Sequence, residues 1–443
     1  MGPTPRRILL SYSMGSIGTG LYLTVPSILL LYYLTQILGI SPALAGLAVF
    51  LPRIWDVVTD PVMGWVSDRT RSRLGRRRPY LLIGAILTSL TFGFLFSAPV
   101  FPSQAMSFVY VLVIYVLSAT AYTVYAVPYL SMPAEMSADS SERSRIMSYR
   151  MTFAMVGVLA GSALAPALLE FYGGGRAGFA AMSWTIGTIC AVTMLLAFFG
   201  TARSPDVSAP AEDEHSRGKL SDLRKDPDFL ALALAYIAQL AGFGVFMGAT
   251  PYYVTDVTGQ SEGVISEMFL SLMGGTVMSL FVWNILATKM GKARAYMLAG
   301  VIVAIGFVFF WLTALDGQKA VTLAATLIIG IGFGGLQLLP FAMLTDVIHA
   351  ARLRGRDSAG VYTGAWTAVE KGGLALGPLI VGGVLSLGGY VSASETQGSD
   401  TVAAIRAAMT LVPAVFVLIS IPIMFRCNPA HRADEMGIEA LSP

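Results

Sequence analysis

Twelve runs of apolar residues dominate the chain, at approximately 8–34, 42–66, 79–98, 106–133, 146–170, 178–200, 229–255, 264–288, 294–315, 320–348, 360–388 and 402–425. Each is long enough for a hydrocarbon core of ~30 Å, which takes about 20 helical residues. With no water there to satisfy free backbone groups, the runs are expected to be helices rather than open strands. The first run is too long for a cleaved signal peptide and has no small-residue cleavage site, so it counts as a span. The fold class predicted is an all-α membrane protein with twelve transmembrane helices.

Composition agrees: 55% of residues are hydrophobic and 12% charged, against roughly 25% charged in soluble domains. The two cysteines, Cys190 and Cys427, fall at the middle of one run and the end of another, which excludes a disulfide-built scaffold. His215, His349 and His431 lie in or beside polar connections, so no histidine relay or metal cluster is expected within the membrane. Arg6 stands where a myristoylation signal needs Ser or Thr. No G-x-x-x-x-G-K-[ST] stretch is present, which argues against an ATP-driven pump. Nothing suggests an enzyme or a bound organic cofactor.

Charge sets the orientation. Of 29 Lys and Arg residues, Arg176, Lys319 and Arg406 lie on one side and Arg53, Arg150 and Lys371 within spans; all the others fall on the opposite side. The positive-inside rule makes that side, with both termini, cytoplasmic. Spacing the charges evenly between spans favours membrane topology over nucleic-acid binding. The expected location is a bacterial inner membrane.

A polar stretch from Thr201 to Asp228 reads as a flexible linker between two halves. Pro128-Tyr129 and Pro340-Phe341 stand 212 residues apart, as do Pro166 and Pro378. Arg73-Leu-Gly-Arg-Arg-Arg-Pro-Tyr80 recurs 216 residues on as Lys289-Met-Gly-Lys-Ala-Arg-Ala-Tyr296. Parallel repeats follow. The expected domains are a bundle over 1–200, a linker over 201–228, a second bundle over 229–425 and a cytoplasmic tail over 426–443. Two six-helix bundles facing a central cavity resemble the major facilitator superfamily fold.

An ionised group at the bilayer centre costs at least ~2.5 kcal/mol, so each needs a partner or a wet cavity. Span 2 reads Arg53-Ile-Trp-Asp56-Val-Val-Thr59-Asp60-Pro61, placing Asp56 and Asp60 one turn apart with Arg53 and Thr59 beside them. The oxygens suit a small cation such as Na⁺; alternatively one carboxylate carries a proton, or the group is an ion-pair network with Arg53. Lys371 in span 11, near Trp366 and Thr367, either neutralises these acids or a substrate, or closes a salt bridge; Arg150 in span 5 joins the site or snorkels to the interface. Tyr122, Thr123, Tyr125 and Tyr129 place rings and hydroxyls beside Pro128, chemistry suited to a sugar or an amphiphile.

The run from Arg53 through Asp60 and Asp68 to Pro79 resembles the glycoside-pentoside-hexuronide:cation symporter family, as do Val127-Pro128-Tyr129, Glu135, Glu142-Arg143 and Tyr149-Arg150. In its melibiose-permease branch, the resemblance implies a Na⁺ site of Asp56, Asp60, Thr123 and the position of Thr59. Lys371 and Arg150 would lie near cation and sugar, and Thr367 would line the cavity. Two sugar-binding acids of that branch correspond to Gly20 and Ala126 here, and Thr59 replaces an asparagine. Relatives neutral at those two positions include sodium-dependent lysophospholipid symporters.

The function expected is a cation-coupled symporter, with Na⁺ or H⁺ as coupling ion, of a sugar or glycoside. The alternatives are a sodium-dependent carrier of an amphiphilic lipid and a non-transporting sensor. Substrate binding or coupling is expected at Tyr122, Tyr125, Arg150, Trp366, Thr367 and Lys371, and gating ion pairs at Asp68, Arg76, Arg77, Arg78, Glu135 and Arg143. A small-molecule substrate and membrane lipid are the expected partners of a monomer.

Overall fold

A computed structural model describes residues 4–137, 139–202, 204, 223–224, 226–313, 318–353, 359–394 and 396–427. Most of the expected linker, and the tail beyond 427, lie outside the described residues. The helices are α1 (Arg6–Tyr32), α2 (Pro42–Arg69), α3 (Arg78–Leu95), α4 (Gln104–Met136), α5 (Ser140–Phe171) and α6 (Gly175–Gly200). They continue as α7 (Pro227–Tyr252), α8 (Gly263–Met290), α9 (Lys292–Thr313), α10 (Lys319–Leu353), α11 (Ala359–Leu387), α12 (Ser399–Met409) and α13 (Leu411–Met424). No strand occurs among the described residues. Among the described residues, twelve segments are long and apolar enough to span a bilayer, as the apolar runs predict. The last is broken at Thr410 into α12 and α13, because Pro413 has no N–H to donate to the Met409 carbonyl.

The chain divides into two compact units: residues 1–212 with 250–266 and 378–401, and residues 213–249 with 267–377 and 402–443. In the first, α1 packs on α5 and α6, α3 on α4 and α6, and α2 on α4. In the second, α9 packs on α10 and α13. The α1–α5 crossing is backbone on backbone. A Cβ added at Gly20 would come within 2.8 Å of the Ala154 carbonyl oxygen, the Gly157 carbonyl carbon and the Val158 nitrogen. Gly20→Ala should therefore destabilise the protein by about 1–3 kcal/mol, since helices forced apart lose packing along their length. Chemical or thermal unfolding of the purified variant measures this; an unchanged midpoint would refute the close crossing.

Two π-helical turns follow α1 and α7, at Tyr33–Ile37 and Tyr253–Val257. They match bond for bond. Leu38 N–H donates to the Tyr33 carbonyl at 3.1 Å and Ile40 N–H to Leu34 at 2.9 Å, while Thr258 donates to Tyr253 at 3.1 Å and Gln260 to Val254 at 3.0 Å. Gly39 (φ 69°) and Gly259 (φ 62°) end both turns in the left-handed region. Within the first unit these turns meet: the Thr35 and Tyr252 hydroxyls lie 2.7 Å apart, and Gln36 Nε2 and Tyr390 Oη donate to Asp256 at 3.4 and 3.1 Å. Burial raises the Tyr390 pKa, so the hydroxyl keeps its proton and donates.

Candidate functional site

The charged turn of α2 faces α4. Asp56 is buried, with 2% exposure, and Asp60 is half-buried. The buried Thr123 hydroxyl on α4 donates to Asp60 Oδ1 at 2.8 Å. Thr59 donates its proton to the Trp55 carbonyl at 3.2 Å and contacts the Asp56 carbonyl at 3.5 Å, which leaves its oxygen chemically able to accept or ligate. On the outer face, Trp55 Nε1 donates to Thr120 Oγ1 at 3.0 Å and fixes the register of α2 against α4. One carboxylate is thereby positioned from both helices, and a second lies one turn away.

Arg53 reaches towards α1, its Nη2 lying 3.4 Å from the Leu23 carbonyl and the Ser27 hydroxyl and its guanidinium 6.0 Å from the Tyr115 ring centroid. It interacts electrostatically with Tyr115, Asp56, Tyr22 and Tyr122. Tyr122 stacks on Tyr22 with ring centroids 4.4 Å apart and planes 11° apart. Its hydroxyl is in electrostatic reach of Arg150, Asp56, Arg53 and Asp60, so it marks where charges from α2 and α5 converge. Arg150 stands ten residues into α5, about 15 Å along the helix, with its guanidinium 5.9 Å from the Tyr129 ring centroid. Thus the first unit brings together Asp56, Thr59, Asp60, Thr123, Tyr122 and Arg150 of the expected residues.

Tyr125 packs behind Tyr129, within electrostatic range of Tyr122 and Arg150. It is fully buried, stacks on Tyr129 at 5.2 Å and directs its hydroxyl to the Met194 carbonyl of α6 at 3.5 Å. Beside it, Tyr12 and Tyr129 exchange hydroxyl-to-carbonyl bonds of 2.9 and 2.6 Å, closing the α1–α4 seam.

In the second unit, Trp366 is buried and stacks on Tyr236 of α7 at 4.4 Å, planes 6° apart, with the Phe341 ring 5.8 Å away. Thr367 is exposed and donates to the Thr363 carbonyl at 3.1 Å. Lys371 is half-buried and acts electrostatically on neighbouring Glu370, which acts in turn on Tyr236.

Around the loop after α2, Glu135 Oε1 accepts from Arg76 Nη2 at 2.5 Å and Arg77 Nε at 2.8 Å, and Arg77 also pairs with Asp68. Arg78 donates instead to the Phe198 carbonyl at 3.2 Å, and Arg143 to the Ser137 carbonyl at 3.3 Å. Glu142 binds Arg145 at 3.2 Å and the Thr4 N–H at 3.0 Å. The second unit holds a counterpart at the repeat position of Arg76: Lys292 pairs with Asp346 at 2.7 Å, again joining the start of one helix to the end of the next. Tyr22, Tyr115 and Tyr236 escape a search for buried charge because a tyrosine in an apolar run carries no such signal. Among the described residues, no group of three or more His, Cys, Asp or Glu could hold a metal ion, so any cation at α2 draws on hydroxyl or carbonyl oxygens as well.

A family model described as MFS/sugar transport protein matches residues 11–428. The putative glycoside/cation symporter YagG of Escherichia coli (strain K12) is 27% identical over 98% of this chain and 93% of its own length. The sodium-dependent lysophosphatidylcholine symporter 1 of Mus musculus is 23% identical over 92% of this chain and 83% of its own. A crystal structure of a bacterial homologue of the human lysosomal transporter Spinster superposes with a TM-score of 0.73 at 15% identity, covering 97% of this chain and 99% of that one. That likeness is one of fold. Residues 11–428 include every candidate residue above, and the α2 motif sits in the midst of the matched region. The chain is accordingly a multi-pass membrane protein of the MFS/sugar transport protein family, among transporters of the glycoside-pentoside-hexuronide:cation symporter type.

Proposed function

We propose that this protein is a Na⁺-coupled symporter of a sugar or glycoside, working by alternating access as a monomer in a bacterial inner membrane with both termini cytoplasmic. The observation that carries the proposal is the Asp56–Asp60 turn with the Thr123 hydroxyl bound to Asp60. A cation held there offsets two carboxylates that are costly in lipid, and so favours the conformation in which α4 brings the Thr123 hydroxyl onto Asp60. Substrate binding is coupled to it through Tyr122, which shares the electrostatic surroundings of Asp56, Asp60 and Arg150. A ring face beside hydroxyl and guanidinium donors suits a polyhydroxylated solute. Lys371, Trp366 and Thr367 would serve the substrate from the second unit, and the Glu135 and Asp68 ion pairs would hold one conformation and part in the other.

A second reading has its own support. The positions where melibiose-permease relatives carry sugar-binding acids are Gly20, which leaves no room for a side chain, and the buried Ala126. A glycoside would then be held without those carboxylates, whereas an amphiphilic lipid would not need them. The mouse relative is named for lysophosphatidylcholine.

Proteoliposomes containing the full chain separate these readings, with labelled melibiose, methyl β-D-glucuronide, a xyloside and lysophosphatidylcholine offered with an inward Na⁺ or choline gradient at fixed pH. Accumulation of one of the glycosides only with Na⁺ is expected. Accumulation of the lysolipid instead selects the second reading, uptake driven by an imposed pH gradient alone replaces Na⁺ with H⁺, and no uptake of any solute contradicts transport of either class.

A further inference from the structure

The Arg-rich loop after α2 does more than form ion pairs. It walls a cavity of about 230 Å³ at the start of α3, lined by Arg73, Arg76, Arg77, Arg78, Glu135 and the residues that follow α6. Among the described lining residues the charge is unbalanced. Their single acid, Glu135, takes three N–H groups on one oxygen: Arg76 Nε at 3.2 Å, Arg76 Nη2 at 2.5 Å and Arg77 Nε at 2.8 Å. Asp68 is engaged by the same Arg77, whose side chain is 7% exposed. Arg73 and Arg78 therefore bring two further positive charges to a space whose acids already serve Arg76 and Arg77.

Arg78 makes the excess acute. Its Nη1 and Nη2 donate to the Leu74 and Phe198 carbonyls at 3.4 and 3.2 Å, and its plane lies 4.7 Å from the Phe198 ring centroid. Both hydrogen-bond partners are neutral. Its Nε is buried and has no hydrogen-bond partner among the described residues, an unfavourable state for a charged donor. Arg78 also begins α3, so the positive end of that helix dipole adds to the same spot.

We propose that this cavity is a binding site for a phosphate-bearing anion, gripped by Arg73 and Arg78 over the Glu135–Arg76–Arg77 base. Guanidinium forks match tetrahedral phosphate oxygens two by two, which a carbonyl cannot do. The volume admits a phosphate group and a few atoms attached to it, and Met132, Met136 and Leu74 give it apolar walls. The phosphate belongs either to an anionic phospholipid headgroup at that membrane face or to a free phosphate species in solution. Once bound, it would tie the loop to the residues that follow α6 and add to the ion pairs there. This site is independent of the α2 cluster and of the transported solute.

Two arms identify the source. Inorganic phosphate is titrated against chloride at constant ionic strength while the melting temperature of the purified full chain is followed, and phosphatidylglycerol is compared with phosphatidylcholine in nanodiscs by native mass spectrometry. Arg73→Ala changes an exposed side chain, and Arg78→Gln removes the charge of the other while leaving a shorter polar side chain. A saturable rise in melting temperature with phosphate, or selective retention of phosphatidylglycerol, is expected, with affinity reduced about tenfold or more in either variant. The arm that responds names the source. The proposal is overturned if neither ligand is distinguished from its control, or if Arg73→Ala responds as the parent does; the latter holds even if Arg78→Gln fails to fold.

Discussion

Asp60→Ala is expected to abolish Na⁺-stimulated uptake and to weaken Na⁺ binding by about a hundredfold, near 2.7 kcal/mol, while the protein stays folded. Asp60 is half-buried, and its Oδ1 is set by Thr123 from the neighbouring helix, so its oxygen is pre-positioned rather than recruited. Removing it deletes half the anionic charge of the turn. Folding survives because an ionised group in lipid is a cost to the folded chain, which alanine removes. Thr123→Val deletes the hydrogen bond while keeping the carboxylate, so its expected loss is smaller, about tenfold. Both are read from Na⁺ dependence of uptake in proteoliposomes, with the melting temperature as the folding control. Full Na⁺ stimulation in Asp60→Ala would remove α2 as the cation site.

Among the charged side chains, the largest expected effect on stability is that of Arg77→Ala, about 2 kcal/mol. The Arg77 side chain is nearly sealed and binds Glu135, Asp68 and the Ser67 hydroxyl, the last at 2.5 Å. Truncating it takes one of two guanidiniums from the part-buried Glu135 and the donor from the buried Ser67 hydroxyl, while Asp68, 59% exposed, is left to water. Arg76→Ala tests the reasoning from the other side. Arg76 is 30% exposed and shares Glu135 with Arg77, so its loss should cost about 1 kcal/mol or less. Arg77→Lys is expected to recover only part of the loss, since an ammonium cannot span Glu135, Asp68 and Ser67 together. Unfolding midpoints of the three variants, compared at one detergent concentration, check the order. Equal midpoints for Arg76→Ala and Arg77→Ala would show that burial does not set the cost.

The twelve helices could be read from the chain because hydrocarbon thickness dictates the length of an apolar run. Their ends could not. Helix α10 continues to Leu353 through polar residues that a hydropathy count excludes, and the break at Thr410 depends on one proline inside an otherwise apolar run. Asp56 and Asp60 stood out because charge in an apolar helix has few explanations, whereas Thr123, noted only as one hydroxyl among the span 4 aromatics, was tied to them by family resemblance alone. The stacking partners Tyr22 and Tyr236 had no comparable mark. Glu142 illustrates helix geometry: residues three apart share a face, so it bonds to Arg145. The matched π-turns were open to reading, as Tyr-Tyr-Leu-Thr at 32–35 and Tyr-Tyr-Val-Thr at 252–255, at a spacing of 220 residues that differs from those of the proline and loop repeats. Unequal spacings are what insertions between repeated helices produce.

If a cation on α2 promotes substrate capture, thermodynamic linkage requires the reverse as well. Calorimetric titration of the purified full chain with its transported glycoside, with and without Na⁺, and of Na⁺ with and without that glycoside, tests this directly. Na⁺ should tighten glycoside binding, glycoside should tighten Na⁺ binding by the same factor, and both effects should vanish in Asp60→Ala. Glycoside binding that is indifferent to Na⁺, or coupling that persists without the Asp60 carboxylate, would contradict it.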